Sequence, residues 1–244
     1  MSLIEHCIVP DWPAPDRVRT LQTTRLGGLS AAPFDSFNLA QHVGDAPITV
    51  ARNRMLLSSI FPSEPVWMEQ VHGAAVANAG STSCLPRADA CVARKSAAVC
   101  VVMTADCLPV LLCDTRGSVV GAAHAGWKGL AAGVIEATIQ DMQVDANDLM
   151  VWLGPAISQE SFEVGDEVRD TFLNGQDQAS VAFKPGRIGK WYADIYFLAR
   201  QRLESLGVSR IYGGGHCTYR DNERFFSFRR DGTTGRMGTF IWLE

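Results

Sequence analysis

Residues 97 to 129 read AAVCVVMTADCLPVLLCDTRGSVVGAAHAGWKG, and this stretch decides the architecture. Ala97 to Thr104 is an apolar run rich in β-branched residues, fit for a strand buried on both faces. Val110 to Cys113 and Val119 to Ala123 read as a strand pair turning at Asp114-Thr115-Arg116-Gly117. Between the first run and this pair stands Ala105-Asp106-Cys107-Leu108-Pro109. Pro109 has no amide to give a ladder and pushes Leu108 extended, so a break is expected there rather than a continuing central strand. The last run feeds into His124-Ala125-Gly126-Trp127-Lys128-Gly129, and Leu130 to Met142 then has helical character.

Toward the N-terminus, Val18 to Thr24 reads as a strand and Phe34 to Asp45 as a polar loop. Pro47 opens a helical pattern carried by Val50, Met55, Leu56 and Ile60. Val66 to Val71 and Ala74 to Ala77 look like short strands joined around His72-Gly73. Toward the C-terminus come a strand at Leu149 to Leu153, helices around Asp166 to Leu173 and Asp194 to Leu206, and a strand at Arg210 to Tyr212. Phe225 to Arg230, an Asp231-Gly232 turn and a strand from Met237 to Leu243 end the chain. Strands and helices interleave without clean βαβ units, which gives an α+β class. No repeat, low-complexity tract or linker interrupts residues 1–244, so one domain is expected.

Hydrophobic residues make up 47% of the 244 and charged residues 20%, the balance of a folding domain rather than a disordered chain. A net charge of -4 gives no global attraction to phosphate backbones or anionic lipid, which speaks against nucleic acid and membrane partners. No basic leader precedes an apolar run, and no stretch is long and apolar enough to span a bilayer. Seven cysteines without a Cys-x-x-Cys pair fit neither a disulfide framework nor a zinc ribbon. Reduced thiols and a cytoplasmic location are therefore expected, with Cys84, Cys91, Cys100 and Cys113 as buried bystanders.

Three of the five histidines, His72, His124 and His216, lie within two residues of a glycine at inferred strand ends, where a side chain can reach a cleft. Cys107 sits in the interruption between two apolar runs. Two imidazoles and one thiolate from His72, Cys107 and His124 make a ligand set suited to zinc, with copper as the alternative, and three protein ligands leave a fourth position open for water or substrate. The spacings match no short metal signature, and the same atoms also allow a metal-free reading with Cys107 as nucleophile and a histidine as base. Gly126-Trp127-Lys128-Gly129 at a helix start favours an anion, but the order needed for a nucleoside triphosphate loop is absent. Arg25, Arg229 and Arg230 could also hold an oxyanion, and Trp127 could stack on a base.

Taken together, Glu69-Gln70-Val71-His72-Gly73, Thr104-Ala105-Asp106-Cys107-Leu108-Pro109, His124-Ala125-Gly126-Trp127-Lys128-Gly129 and Phe228-Arg229-Arg230-Asp231-Gly232 resemble the laccase-domain family of purine nucleoside phosphorylases, formerly called multicopper polyphenol oxidoreductases. Asn38 to Asp45 and Gly154 to Ile157 resemble it too, with Ala40 where a glycine is common and Phe228 where a tyrosine is. The resemblance implies zinc on His72, Cys107 and His124, and a mixed β-sandwich flanked by helices in α-β-β-α layers. It implies phosphorolysis of adenosine, inosine, guanosine and methylthioadenosine with inorganic phosphate as co-substrate, plus deamination of adenosine. Phosphorolysis needs an anion pocket beneath C1′, for which Arg54, Lys128 and Arg230 are the candidates, with Asn38 as a sugar or base contact. The rival classes are a copper-dependent phenol oxidase, poorly supplied by five histidines, a cysteine-nucleophile hydrolase, and a non-catalytic metal or nucleoside-binding module.

Overall fold

A computed structural model describes residues 3–80, 85–174 and 177–244; Cys84 lies outside the described residues. Strands β1 (Val18–Gln22), β2 (Val76–Asn78), β3 (Ala90–Ala93), β4 (Cys100–Thr104), β5 (Leu108–Asp114), β6 (Val120–Ala125), β7 (Leu149–Leu153), β8 (Glu163–Gly165), β9 (Phe183–Pro185), β10 (Lys190–Ala193), β11 (Arg210–Gly213) and β12 (Met237–Leu243) form three sheets. Helices are α1 (Pro47–Leu56), α2 (Trp127–Ala131), α3 (Val134–Met142), α4 (Asp166–Leu173), α5 (Ile195–Ser205) and α6 (Phe228–Asp231). The large sheet has the order β11-β7-β5-β6-β3-β2, with parallel pairs at its two edges and antiparallel pairs between.

Side-chain parity along the strands explains the layering, because successive residues face opposite sides of a sheet. In β5, Val110 and Leu112 pack with Ala123, Val151, Ile135 and Leu198 on the side covered by α3 and α5. Leu111 and Cys113 point the other way and meet Cys100, Val102 and Ile241 from the antiparallel sheet β1-β12-β4. The far face of that smaller sheet, with Leu21, Val101, Phe240 and Trp242, is closed by Phe37, Leu39, Leu57 and Phe61 from the polar loop and the end of α1. Helices, sheet, sheet and helix make the α-β-β-α sandwich. Both faces of the large sheet are buried, which is why its central strands carry continuous apolar runs instead of alternating with polar residues.

Four expectations change. Pro109 does not break the strand: β5 runs through it, and Pro109 opposes His124 in β6. The Gly154 amide donates to the Pro109 carbonyl at 2.9 Å, and the reciprocal bond that proline cannot supply is replaced by Tyr196, whose hydroxyl lies 3.0 Å from the Gly154 carbonyl. Residues 66 to 71 make isolated bridges, Val66 to Cys100 and Glu69 to Arg87, rather than a strand. The helix expected from 130 to 142 is two helices, because Gly133 takes φ +89° between α2 and α3. Arg230, expected just before a turn at Asp231-Gly232, lies in the short helix α6, which takes in Asp231 and is started by the Ser227 side chain accepting the Arg230 amide at 3.2 Å. The small sheet β8-β10-β9 had no clear apolar alternation to reveal it.

Candidate active site

The chain passes from the smaller sheet to the larger one in three residues, Ala105 to Cys107, between the end of β4 and the start of β5. This crossing brings Cys107 to the rim of the sandwich. His124, next to last in β6, shares the parity of Val120 and Ala122, which face the space between the sheets, so its ring enters the same rim. Asp89 directly precedes β3 and lies opposite His124 across the β3–β6 ladder, where the His124 amide donates to the Asp89 carbonyl at 2.7 Å. His72 comes from the loop before β2 with φ +59°, a rare backbone for a residue with a β-carbon.

One carboxylate organises this corner. Fully buried, Asp89 accepts the amides of Val71, His72 and Gly73 at 3.1, 2.9 and 2.7 Å, holding the strained loop in place. It also pairs with His124 Nδ1 at 2.8 Å, which turns Nε2 toward Cys107 and His72. Burial alone would raise the Asp89 pKa, but the bonds from His124 and the amides outweigh it and the carboxyl is held below its ordinary value. Asp89 carries no metal-type motif in the sequence, and only its place just before a short run of small apolar residues could have marked it.

Ligand atoms of His72, Cys107 and His124 all lie within 4.8 Å of one another, and among the described residues this is the cluster able to hold an ion. The imidazole rings sit edge to face with centroids 4.8 Å apart. Burial would raise the Cys107 pKa, yet the two histidines bring it down to about 6; burial would lower His124, yet the Cys107 thiolate and Asp89 raise it to about 9. Each group thus favours the charged form of the other, a thiolate beside an imidazolium, and a divalent cation bound there would take the place of that imidazolium proton. The donor set of two imidazoles and one thiolate fits zinc. Gly126 gives the room: a β-carbon there would stand 2.9 Å from Cys107 Sγ and 3.2 Å from the His72 ring.

Two cavities flank this corner, sharing His72, Ala105, Cys107 and Phe228 as their common wall. One, of about 270 Å³, is apolar, with Trp127, Ile157, Phe162 and Ile195, and carries Lys128 and Arg229 on its border. The other, of about 240 Å³, is the more polar of the two, carrying His42, Gln70, Thr104 and Arg236 beside Met103, Ala105 and Phe228. Among the described residues Arg236 has no ion pair; its Nη1 donates to the Thr234 and Gly235 carbonyls at 2.9 and 3.0 Å. Thr104 Oγ1 is buried without a hydrogen-bond partner. Burial and the nearby Arg236 and Arg54 push His42 below its ordinary pKa.

The four substrate candidates from the sequence land in different places. Lys128 borders the apolar cavity. Arg54 stacks 3.6 Å above Trp67, donates from Nε to the Leu39 carbonyl at 2.9 Å and lines a separate cavity with Glu64, within electrostatic reach of His42. Arg230 is spent on structure: it donates to the carbonyls of Thr218, Tyr219 and Phe225 at 2.8, 3.0 and 2.9 Å and pairs with Asp231. Asn38 is fully buried, accepting the amides of Ala40 and Arg236 and donating to Asp45, so it shapes the loop instead of touching the cleft. His216 stands apart from the metal cluster, beside Phe225 and Cys217. Of the arginines considered from sequence, Arg25 is bound to Asp35 and Asn222, whereas Arg229 reaches the apolar cavity.

A family model described as multi-copper polyphenol oxidoreductase laccase matches residues 19–244. The chain belongs to that laccase family. Within it, the chain is 52% identical over 239 residues to the purine nucleoside phosphorylase YfiH of Escherichia coli, covering 97% of this chain and 98% of that one. A purine nucleoside phosphorylase of Pseudomonas aeruginosa is 51% identical over 238 residues, with 97% and 98% covered. The crystal structure of a Neisseria meningitidis protein superposes with a TM-score of 0.95 at 48% identity, over 98% of this chain and 99% of that one. YlmD of Geobacillus stearothermophilus superposes at 0.88 with 30% identity, over 95% and 94%. The sandwich is thus the architecture of this laccase family, and the Escherichia coli and Pseudomonas aeruginosa relatives carry the name of an enzyme, purine nucleoside phosphorylase.

Proposed function

We propose that the chain is a purine nucleoside phosphorylase that uses inorganic phosphate on adenosine, inosine, guanosine and methylthioadenosine, and that it also deaminates adenosine, with zinc held by His72, Cys107 and His124. The carrying observation is the pairing of one apolar and one cationic cavity across that three-residue corner, in a chain 52% identical to a named purine nucleoside phosphorylase. When bound, zinc supplies a Lewis acid and lowers the pKa of water at its open position.

The chain's own residues divide the work. The apolar cavity takes the purine, with Trp127 and Phe228 as flat surfaces and Lys128 as a donor to the ring's polar edge. The polar cavity takes phosphate: Arg236 has donors to spare, His42 can accept or give a proton, the unpartnered Thr104 hydroxyl is a ready donor, and Arg54 adds positive potential from behind. Seating the anion beside the corner aims it at a ribose that spans the shared wall, and holding both reactants there lowers the entropic part of the barrier. One domain over residues 1–244, acting in the cytoplasm where its free thiols stay reduced, fits this reading.

A second reading has a specific observation behind it. A Cys107 thiol at about pKa 6 beside His124 is the pair a cysteine nucleophile needs. Chromatography of adenosine and inosine incubated with metal-assayed protein separates the two. Free base appearing only with phosphate, and lost with a strong chelator, supports the phosphorylase. Turnover that survives the chelator and dies with one equivalent of iodoacetamide supports the nucleophile, oxidation of a phenol under air would revive the copper oxidase, and binding without turnover leaves a module.

A further inference from the structure

Among the described residues Asp106 is the one carboxylate that borders either cavity, and it directly precedes Cys107 in the chain. It is 8% exposed and holds φ +90°, a backbone that glycine adopts freely and aspartate does not. What keeps an aspartate there is its set of bonds. Oδ1 accepts the Thr218 hydroxyl at 2.6 Å, Oδ2 accepts the Arg229 amide at 2.7 Å, and the Asp106 carbonyl accepts the Ile157 amide at 2.9 Å.

Those three donors come from separate segments, two of which wall the apolar cavity at Ile157 and at Arg229. Thr218 is fully buried, with its amide on the Ala156 carbonyl at 3.0 Å and its carbonyl receiving Arg230 at 2.8 Å. Arg229 follows Phe228, the residue shared by both cavities, and its guanidinium lies over Phe162 with Nη1 on the Glu163 carbonyl at 2.6 Å. A displacement of the Asp106 carboxylate would therefore move Cys107 on one side and the Phe228–Arg229 wall on the other.

We propose that Asp106 is a positioning residue that locks the Cys107 thiol and the Phe228–Arg229 wall into one geometry. The inference rests on the phosphorylase reading for its nucleoside readout alone. Asp106→Asn keeps the geometry, because its carbonyl oxygen can accept the Arg229 amide while its NH2 donates to a rotated Thr218 hydroxyl. Asp106→Gly relieves the backbone and deletes both side-chain bonds, so it separates strain from positioning.

The test measures, for each variant, the melting temperature, the zinc dissociation constant by competition with a chromophoric chelator, the thiolate-to-cobalt charge-transfer band after cobalt loading, and kcat and KM for inosine. The glycine variant is expected to fold, to bind zinc roughly tenfold more weakly, as loss of a residue that orients a ligand does, and to show a shifted cobalt band and a raised KM. Asp106→Asn is expected to stay near wild type in all of these. A folded glycine variant with an unchanged cobalt band and a zinc constant within about twofold of wild type overturns the proposal. If the glycine variant does not fold, Thr218→Val decides: it removes the donor to Oδ1, and an unmoved cobalt band overturns the proposal equally. A wild type that takes up neither metal overturns it too. A wild type that binds zinc but releases no base defeats the phosphorylase reading and leaves the metal readouts to judge Asp106.

Discussion

At the scale of single residues, the corner depends on Asp89 more than on any ligand's own neighbours, because one side chain satisfies three loop amides and fixes which nitrogen of His124 is free. Asp89→Asn would set an NH2 against those amide donors, so zinc affinity is expected to fall about 10–100-fold, read by chelator competition. Gly126→Ala tests space instead of charge: its φ of -63° suits alanine, but the new methyl would crowd Cys107 Sγ. A folded protein with metal uptake lost is the expected outcome, by metal analysis beside a melting curve. The third test is pH. A Cys107 pKa lowered to about 6 means that the thiolate persists from neutral pH down to that value and is protonated below it. Alkylation of metal-free protein, followed by mass spectrometry at Cys107, should therefore rise through about pH 6 and be nearly flat above 7, whereas an ordinary thiol would rise near 9.

Elements were legible wherever the apolar period was unbroken and the ends carried turn residues. β7 closes at Gly154-Pro155, α4 starts at acidic residues and β12 is a seven-residue apolar run, and all three have the bounds expected from sequence. Pro109 was misread because local chemistry was right and tertiary context compensated for it. Its missing donor faces a carbonyl that Tyr196, 87 residues later in the chain, reaches from α5. No window around Pro109 contains that information. Tyr196 also accepts the Ala156 amide at 2.7 Å and lies 2.8 Å from the His216 carbonyl, so one hydroxyl ties the turn after β7 to the segment after β11. Tyr196→Phe leaves the Gly154 carbonyl and the Ala156 amide buried without this partner and is expected to cost about 1–3 kcal/mol, measured by urea unfolding, with the zinc constant little changed.

For the whole molecule, the site sits where it does because the two sheets of the sandwich must be joined, and the joint between β4 and β5 is too short to be anything but a tight crossing at the rim. The three ligand candidates could be picked from sequence since histidine and cysteine are scarce and each interrupts an apolar pattern. The cations proposed to hold phosphate could not, because 22 lysines and arginines offer no comparable filter: Arg230 and Arg236 look alike in sequence, and only the fold shows the first clamped on carbonyls and the second facing a cavity. This separation makes the division of labour testable. If the polar cavity holds phosphate and the apolar one the base, Arg236→Ala should raise the phosphate KM by about 10–100-fold, the worth of a charge-assisted hydrogen bond, and leave the nucleoside KM within a few-fold. Trp127→Ala should do the reverse, since its ring borders only the apolar cavity. Steady-state kinetics with each substrate varied at saturating levels of the other reads both. Parallel shifts in the two constants for both variants would mean that the cavities act as one pocket, and the assignment of base and anion to opposite sides of Phe228 would have to be given up.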